Sequence, residues 1–350
     1  MKLILFVSTA LAWTAQGFVP SSFGNDNLRV GTSLYAVGAL AKKAKEASLR
    51  QYIADGIEDA VMEKYNVIKA ALESDDEITA EVGPLQETLT RRKGTITVVA
   101  EYKRKLVGSG YIKEVYEPEI LSNEFREFGA SGIAVMADER MGGCSYDDLK
   151  IFVEDQRRSR NEVPGPVRVI NNDLIIDELQ VARSAAYGAS AVVLQLDVLG
   201  GEQTKTLLKA AKAVDLEVIV AVSSKEEAQE AIDLGGRMLS VVNVDSVDDK
   251  VAVITGLNVP DGQTVTTIAN IQQKDNQGLE EVEECWACRD QGFNCAWISD
   301  ALYKAGNSDV EHPGAIVKSM TSKSSVRWAS PVAKSGRGEG AREYLGDILM

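Results

Sequence analysis

Two hydrophobic periods share this chain. From residue 95 onward, short runs of apolar and β-branched residues lie at 96–100, 132–137, 167–170, 191–196, 217–222, 238–242, 265–268 and 295–299. Between them, over 118–128, 145–159, 178–187, 203–214, 225–234, 247–255 and 279–291, apolar residues recur with the spacing of amphipathic helices. The strand runs show little in–out alternation, so both their faces are covered, as in a parallel sheet flanked by helices. Eight such units in sequence predict a (β/α)8 TIM barrel. Gly129-Ala130, Gly188-Ala189, Gly235-Gly236 and Gly292-Phe293 end helices and start the turn inward. Ahead of the barrel, a helical pattern over 40–74 stops at Asp75-Asp76-Glu77. A second short helix over 85–92 stops at Lys93-Gly94. The predicted layout is a targeting segment over 1–36, a helical extension over 37–94, the barrel over 95–320 and a flexible tail over 321–350.

The 350 residues carry a formal net charge of −14. So acidic a chain argues against nucleic acid and anionic membrane as partners. Histidine occurs once, at His312. That nearly excludes a histidine-based triad or a multi-histidine metal site, and no metal is expected.

The first residues read as an address. Lys2 precedes an apolar run over 3–13 that is too short to span a bilayer, and Thr14-Ala15-Gln16-Gly17 supplies small residues for cleavage. Phe18-Val19-Pro20-Ser21-Ser22 then resembles the cleavage motif of bipartite plastid presequences in algae with complex plastids. Residues 23–36, with Arg29, Thr32, Ser33 and a single acid at Asp26, fit a short transit peptide. The resemblance implies the plastid stroma; the alternative is simple secretion.

The most informative segment is Thr95-Ile96-Thr97-Val98-Val99-Ala100-Glu101-Tyr102-Lys103. Side chains alternate along a strand, so Glu101 and Lys103 face the same way, at the C-terminal end where such barrels do chemistry. The bland alternative is a Glu–Lys ion pair closing the mouth.

Several stretches, in order, resemble the indole-3-glycerol-phosphate synthase family. They are AEYKRK from Ala100, IAVMADE from Ile133, VINNDLIIDELQV from Val169, GASAVVLQLDVL from Gly188 and AVSSKEEAQEAIDLGG from Ala221. The likeness spans about Leu85 to Met320. It implies a substrate in which a phosphorylated, ring-opened sugar is attached to anthranilate, and a ring closure that loses carbon dioxide and water. It implies no cofactor. It gives Glu101 and Lys103 as retained catalytic positions. It also implies a lysine general acid where this chain has Asn172, and a glutamate where it has Ala221. The family's strand-six asparagine and arginine become Val242 and Val244, and its strand-seven Glu-Ser-Gly becomes Ile268-Ala269-Asn270. Leu106-Val107-Gly108 replaces a Ser-Pro-Ser, and Ser299-Asp300 a Gly-Ser. Ser109, Asn270, Ser299 and Asp300 are the candidates left at the phosphate subsite, where the Asp300 carboxylate would repel a phosphate.

Two function classes follow: the family's carboxy-lyase with an altered site, or a non-catalytic barrel used for binding or scaffolding. The residue chemistry favours the second. A third, weaker idea is redox gating through Cys285 and Cys288, one helical turn apart, against the reading of two ordinary thiols. Asp138-Glu139 reads as an acidic rim. The tail, apolar again from Tyr344, is either unstructured or a protein-docking peptide over 335–350.

Overall fold

The predicted strands close into a cylinder in a computed structural model of the chain. They are β1 (Thr97–Tyr102), β2 (Gly132–Val135), β3 (Arg168–Asn171), β4 (Ala191–Gln195), β5 (Glu217–Val222), β6 (Met238–Val241), β7 (Thr266–Ile271) and β8 (Cys295–Ile298). All pair in parallel, and β1 pairs with both β2 and β8, which leaves no free edge. The structure describes residues 27–74, 82–90, 95–106, 110–112, 117–274, 278–303 and 313–322, with side chains from residue 38 onward except Leu279.

Alternation along the strands divides the core in two. Val99, Ala134, Ile170, Ala191, Val193, Ile219, Ala221, Met238, Ile268, Cys295 and Trp297 fill the inside of the cylinder. Val98, Ala100, Tyr102, Ile133 and Val135 face outward, onto residues such as Leu121, Phe125, Leu149 and Phe152 of the helical layer.

That layer comprises α4 (Pro118–Glu127), α5 (Tyr146–Arg158), α6 (Glu178–Ala186), a short α7 (Leu196–Leu199), α8 (Gly201–Ala213), α9 (Lys225–Asp233), α10 (Val247–Ile254), α11 (Leu279–Asp290) and α12 (Pro313–Thr321). Several starts have a side-chain cap. Ser145 and Asp148 form a capping box on α5, and Asp177, Ser224 and Ser246 cap α6, α9 and α10.

The N-terminal extension departs from the single helix expected over 40–74. It is two helices, α1 (Asn27–Asp55) and α2 (Asp59–Glu73), separated where Gly56 takes φ +105°, a conformation a helix cannot contain. Among the described residues, the helical backbone reaches back to Asn27, inside the stretch assigned from sequence to the presequence. α1 runs along the C-terminal rim: Gly38 faces Val198 of α7, Lys42 donates to Gln203 of α8 at 2.8 Å, and Lys45 reaches the ends of β2 and β3. α2 packs on the outside, against α6 and α8. The opposite, N-terminal end is closed by α3 (Pro84–Leu89), whose Leu85 and Leu89 plug the inner core. β1 and β7 run beyond the expected 96–100 and 265–268, to Tyr102 and Ile271, because their last residues are still paired to neighbouring strands.

Candidate active site

The mouth lies at the C-terminal ends of the strands. The inward parity set by Val99, Ala134, Ile170, Val193, Ile219, Met238, Ile268 and Trp297 brings Glu101, Asn172, Gln195, Ala221, Val242, Asn270 and Ser299 to this end. Lys103 follows β1 on the same face as Glu101, as alternation predicts.

Glu101 and Lys103 are both buried, at 2% and 4% exposure. Glu101 Oε2 accepts a hydrogen bond from the Trp297 indole N–H at 2.7 Å, and its backbone carbonyl accepts one from the Tyr303 hydroxyl at 2.8 Å. Its Oε1 lies 3.5 Å from Lys103 Nζ and takes no hydrogen bond among the described residues. The second partner of Lys103 is Asp300, whose Oδ1 is 2.5 Å from Nζ. Asp300 thus turns toward Lys103, within the short turn Asp300–Leu302. Burial disfavours the Lys103 charge, but Glu101 and Asp300 outweigh it and hold the pKa above that of an ordinary lysine. Lys103 is a fixed ammonium with two carboxylates beside it.

The same arrangement recurs around Lys45, which α1 delivers to the rim. Its ammonium meets Asp138, after β2, at 2.5 Å, and also Asp173, after β3. Asp173 is fully buried and accepts hydrogen bonds from the Tyr146 hydroxyl and the Gln180 amide, each at 3.0 Å. Burial raises its pKa to about 6 against the opposing pull of Lys45. After β7, Lys274 is held by Glu284 at 2.8 Å, and Glu284 also binds the buried Lys250. Lys103, Lys45 and Lys274 are thus each committed to carboxylates of this chain.

The positions expected to carry acid–base chemistry are plain. Asn172 is a half-buried amide whose backbone N–H joins the Val135 carbonyl at 2.9 Å. Ala221 is a buried methyl inside the cylinder, level with Gln195 and Ser240 on the strands beside it. Asn270 on β7 and Ser299, just after β8, are half-buried. Ser109 lies outside the described residues, as do His312 and the 335–350 tail. Cys285 and Cys288 are buried and unbridged. Burial pushes the Cys285 thiol well up and that of Cys288 to about 12, so the thiolate a redox switch needs is disfavoured.

The model of the family described as "Indole-3-glycerol phosphate synthase" matches residues 49–311, three quarters of the chain. The chain belongs to the indole-3-glycerol phosphate synthase family. The match starts well upstream of Leu85, so it takes in the end of α1 and all of α2 as well as the barrel. A curated indole-3-glycerol phosphate synthase of Leptospira interrogans is 32% identical over 157 residues, 45% of this chain and 58% of the relative. The Chlorobium luteolum synthase is 27% identical over 217 residues, 62% of this chain and 78% of the relative. That of Carboxydothermus hydrogenoformans is 25% identical over 223 residues, 63% and 80%. The segment match to the Leptospira protein therefore covers less than two thirds of its length.

Sequence reasoning placed Glu101, Lys103, Asn172, Ala221, Asn270, Ser299 and Asp300 at one end of the barrel, where the structure has them. It missed Trp297, Tyr303, Lys45 and Asp173. Trp297 was within reach, since it shares the inward parity of Cys295 and Ser299 on β8. Nothing in the local sequence points Lys45 at Asp173.

Proposed function

We propose that this family member keeps the barrel but no longer closes the indole ring, and works as a non-catalytic binding or scaffolding protein. The observation that carries this reading is the state of Lys103. It is the cation retained from the family's catalytic positions, and both Glu101 and Asp300 already neutralise it. A substrate carboxylate approaching it meets two carboxylates as well as one ammonium. Lys103 itself cannot serve as the base, because it is held protonated. The amide of Asn172 and the methyl of Ala221 supply no proton to the sugar carbonyl or the leaving hydroxyl. Losing one acid–base group costs on the order of 10²–10⁴ in rate. Losing two of them, in a site whose cation is occupied, supports the absence of turnover.

The test is direct. Purified protein is given the phosphorylated, ring-opened sugar attached to anthranilate, and indole fluorescence is followed. No product and no thermal stabilisation by the substrate are expected, and Asn172→Lys with Ala221→Glu recovers little. Measurable turnover by the natural protein ends the proposal and restores the second reading, a synthase with an altered site, which the adjacency of Glu101 and Lys103 favours. We further propose plastid residence, on residues 1–36, to be checked by imaging a fluorescent protein fused after residue 36. A partner docked through 335–350 would be lost from pull-downs on removing that segment.

A further inference from the structure

At the opposite end of the cylinder, below β2 and β3, lies a cleft of about 700 Å³. In a chain of net charge −14, four arginines line it: Arg126, Arg157, Arg160 and Arg168. Among the described residues, its lining includes one carboxylate, the exposed Glu127, and Glu162 pairs with Arg126 from beside the lining. The N-terminal end of such a barrel ordinarily serves stability. Two features set this cleft apart from a solvated basic rim.

The first is Arg126 itself. It is 3% exposed, and its Nε–H has no hydrogen-bond partner among the described residues. Its other nitrogens are used to build the wall. Nη1 donates to the Pro164 carbonyl at 2.8 Å, and Nη2 donates to Asn123 at 2.9 Å and pairs with Glu162 at 2.5 Å. A buried, unspent donor on a cation is costly unless something accepts from it. The second is that the cleft is shaped in advance. Gln156 fixes the same loop from the other side, accepting from the Val167 N–H at 2.8 Å while its amide holds Ser122. Gly188 makes room for Arg157: a Cβ there would lie 2.5 Å from Nη2, and φ of +87° disfavours any side chain. Arg157, Arg160 and Arg168 remain exposed around this frame.

The lining also has apolar wall, from Val153, Pro166 and Val169. The volume falls within the ordinary range of small-molecule sites. We propose that this cleft is a second binding site, for an organic diphosphate of nucleotide size, with its phosphates on the arginines and its uncharged body on the apolar wall. Arginine is suited to this because its planar fork of donors matches phosphate oxygens. The site is separate from the mouth, and its occupation does not depend on whether the mouth is catalytic.

Calorimetry on the full chain with ADP, inorganic pyrophosphate and adenosine tests it. ADP and pyrophosphate should bind and adenosine should not. The exposed pair Arg160→Gln/Arg168→Gln should weaken ADP by about tenfold or more and flatten the salt dependence, with the melting temperature unchanged. Lys150→Gln, on the exposed face of α5, should change nothing. Failure of both ADP and pyrophosphate to bind at millimolar concentration overturns the proposal, as does equal affinity in the double variant. Binding of polyglutamate without pyrophosphate also overturns it, and assigns the cleft to an acidic peptide.

Discussion

The ammonium of Lys103 and the carboxylate of Asp300 lie 2.5 Å apart although 197 residues separate them in the chain. The contact joins the end of β1 to the turn after β8, the two strands whose pairing closes the cylinder. With Glu101 on the other side, it makes a partly buried three-charge cluster. Such clusters are weak contributors as a whole, but breaking one side leaves a charge uncompensated.

Lys103→Met should therefore destabilise by about 3 kcal/mol, because Glu101 and Asp300 remain facing each other without the cation. Adding Asp300→Asn to that variant should return part of the loss. Urea unfolding of the two single variants and the double variant measures this as a cycle. If the double variant is as unstable as the sum of the singles, the pair is not coupled.

Asp173 predicts a pH dependence with an unusual sign for a carboxylate. An unfolded aspartate titrates near 4, and burial raises this one to about 6 in the folded chain. Between those values the folded state holds a proton that the unfolded state has lost. The contribution of this group to stability is thus complete below about pH 4 and is lost as pH rises through about 6. Asp138, on the other side of Lys45, runs the opposite way. Burial works to raise its pKa, but Lys45 and the Met141 and Arg140 N–H groups outweigh it and leave it lowered. Its contribution is present at neutral pH and fades only under acid. Asp173→Asn should flatten the stability profile between about pH 4 and pH 7, by at most about 3 kcal/mol across the window. An unchanged slope in urea titrations across that window would show that Asp173 is not the group responsible.

The barrel was legible because its strands are buried on both faces and its helices on one. Apolar runs such as Glu217–Val222 and periodic stretches such as Gly201–Ala213 therefore carry different patterns. Alternation alone put Glu101 beside Lys103. What it left out was long-range pairing. Chain position alone set Asp300 beside the expected phosphate subsite; its pairing with Lys103 follows from closure of the barrel. Lys45 sits in an ordinary run of alanines, lysines and glutamates, so its role appears only once α1 is laid across the rim. The break at Gly56 was hidden by good helix formers on both sides. α12 was not read as a helix because its apolar stretch is short and directly follows Pro313-Gly314.

Arg183 ties the extension to the barrel. Its guanidinium lies 4.0 Å from the ring centre of Tyr52 on α1, 4.1 Å from that of Tyr146 on α5 and 5.5 Å from that of Tyr187. Glu58, just before α2, accepts from the hydroxyls of both Tyr52 and Tyr187. Arg183→Met keeps the bulk and removes the charge. It should cost about 1–2 kcal/mol and speed proteolysis at the Gly56 junction, with Arg183→Lys between the two. Digestion at the natural rate in Arg183→Met would mean that apolar packing, not the cation, holds α1.

Glu217 does at the closed end what no residue of α3 does for itself. The N-cap of α3 is Gly83, which has no side chain to offer. Instead, the Glu217 carboxylate at the start of β5 accepts from the N–H of Leu85 at 2.6 Å and of Gln86 at 2.8 Å. A Cβ on Gly83 would collide with that carboxylate, so the glycine and the glutamate require each other. The α3 plug is further held by the Gln86 amide on the Thr264 carbonyl at 2.9 Å and by Thr90 against Thr266 at 2.6 Å. Glu217→Ala removes two charge-assisted hydrogen bonds from first-turn amides and should cost about 2 kcal/mol. Glu217→Gln keeps an acceptor but not the charge and should lose about half as much. Gly83→Ala should also destabilise, by displacing Glu217, and combining it with Glu217→Ala should add little. Chemical unfolding of the four proteins reads this out; additive losses would mean that the two residues act independently and that α3 is capped by some other group.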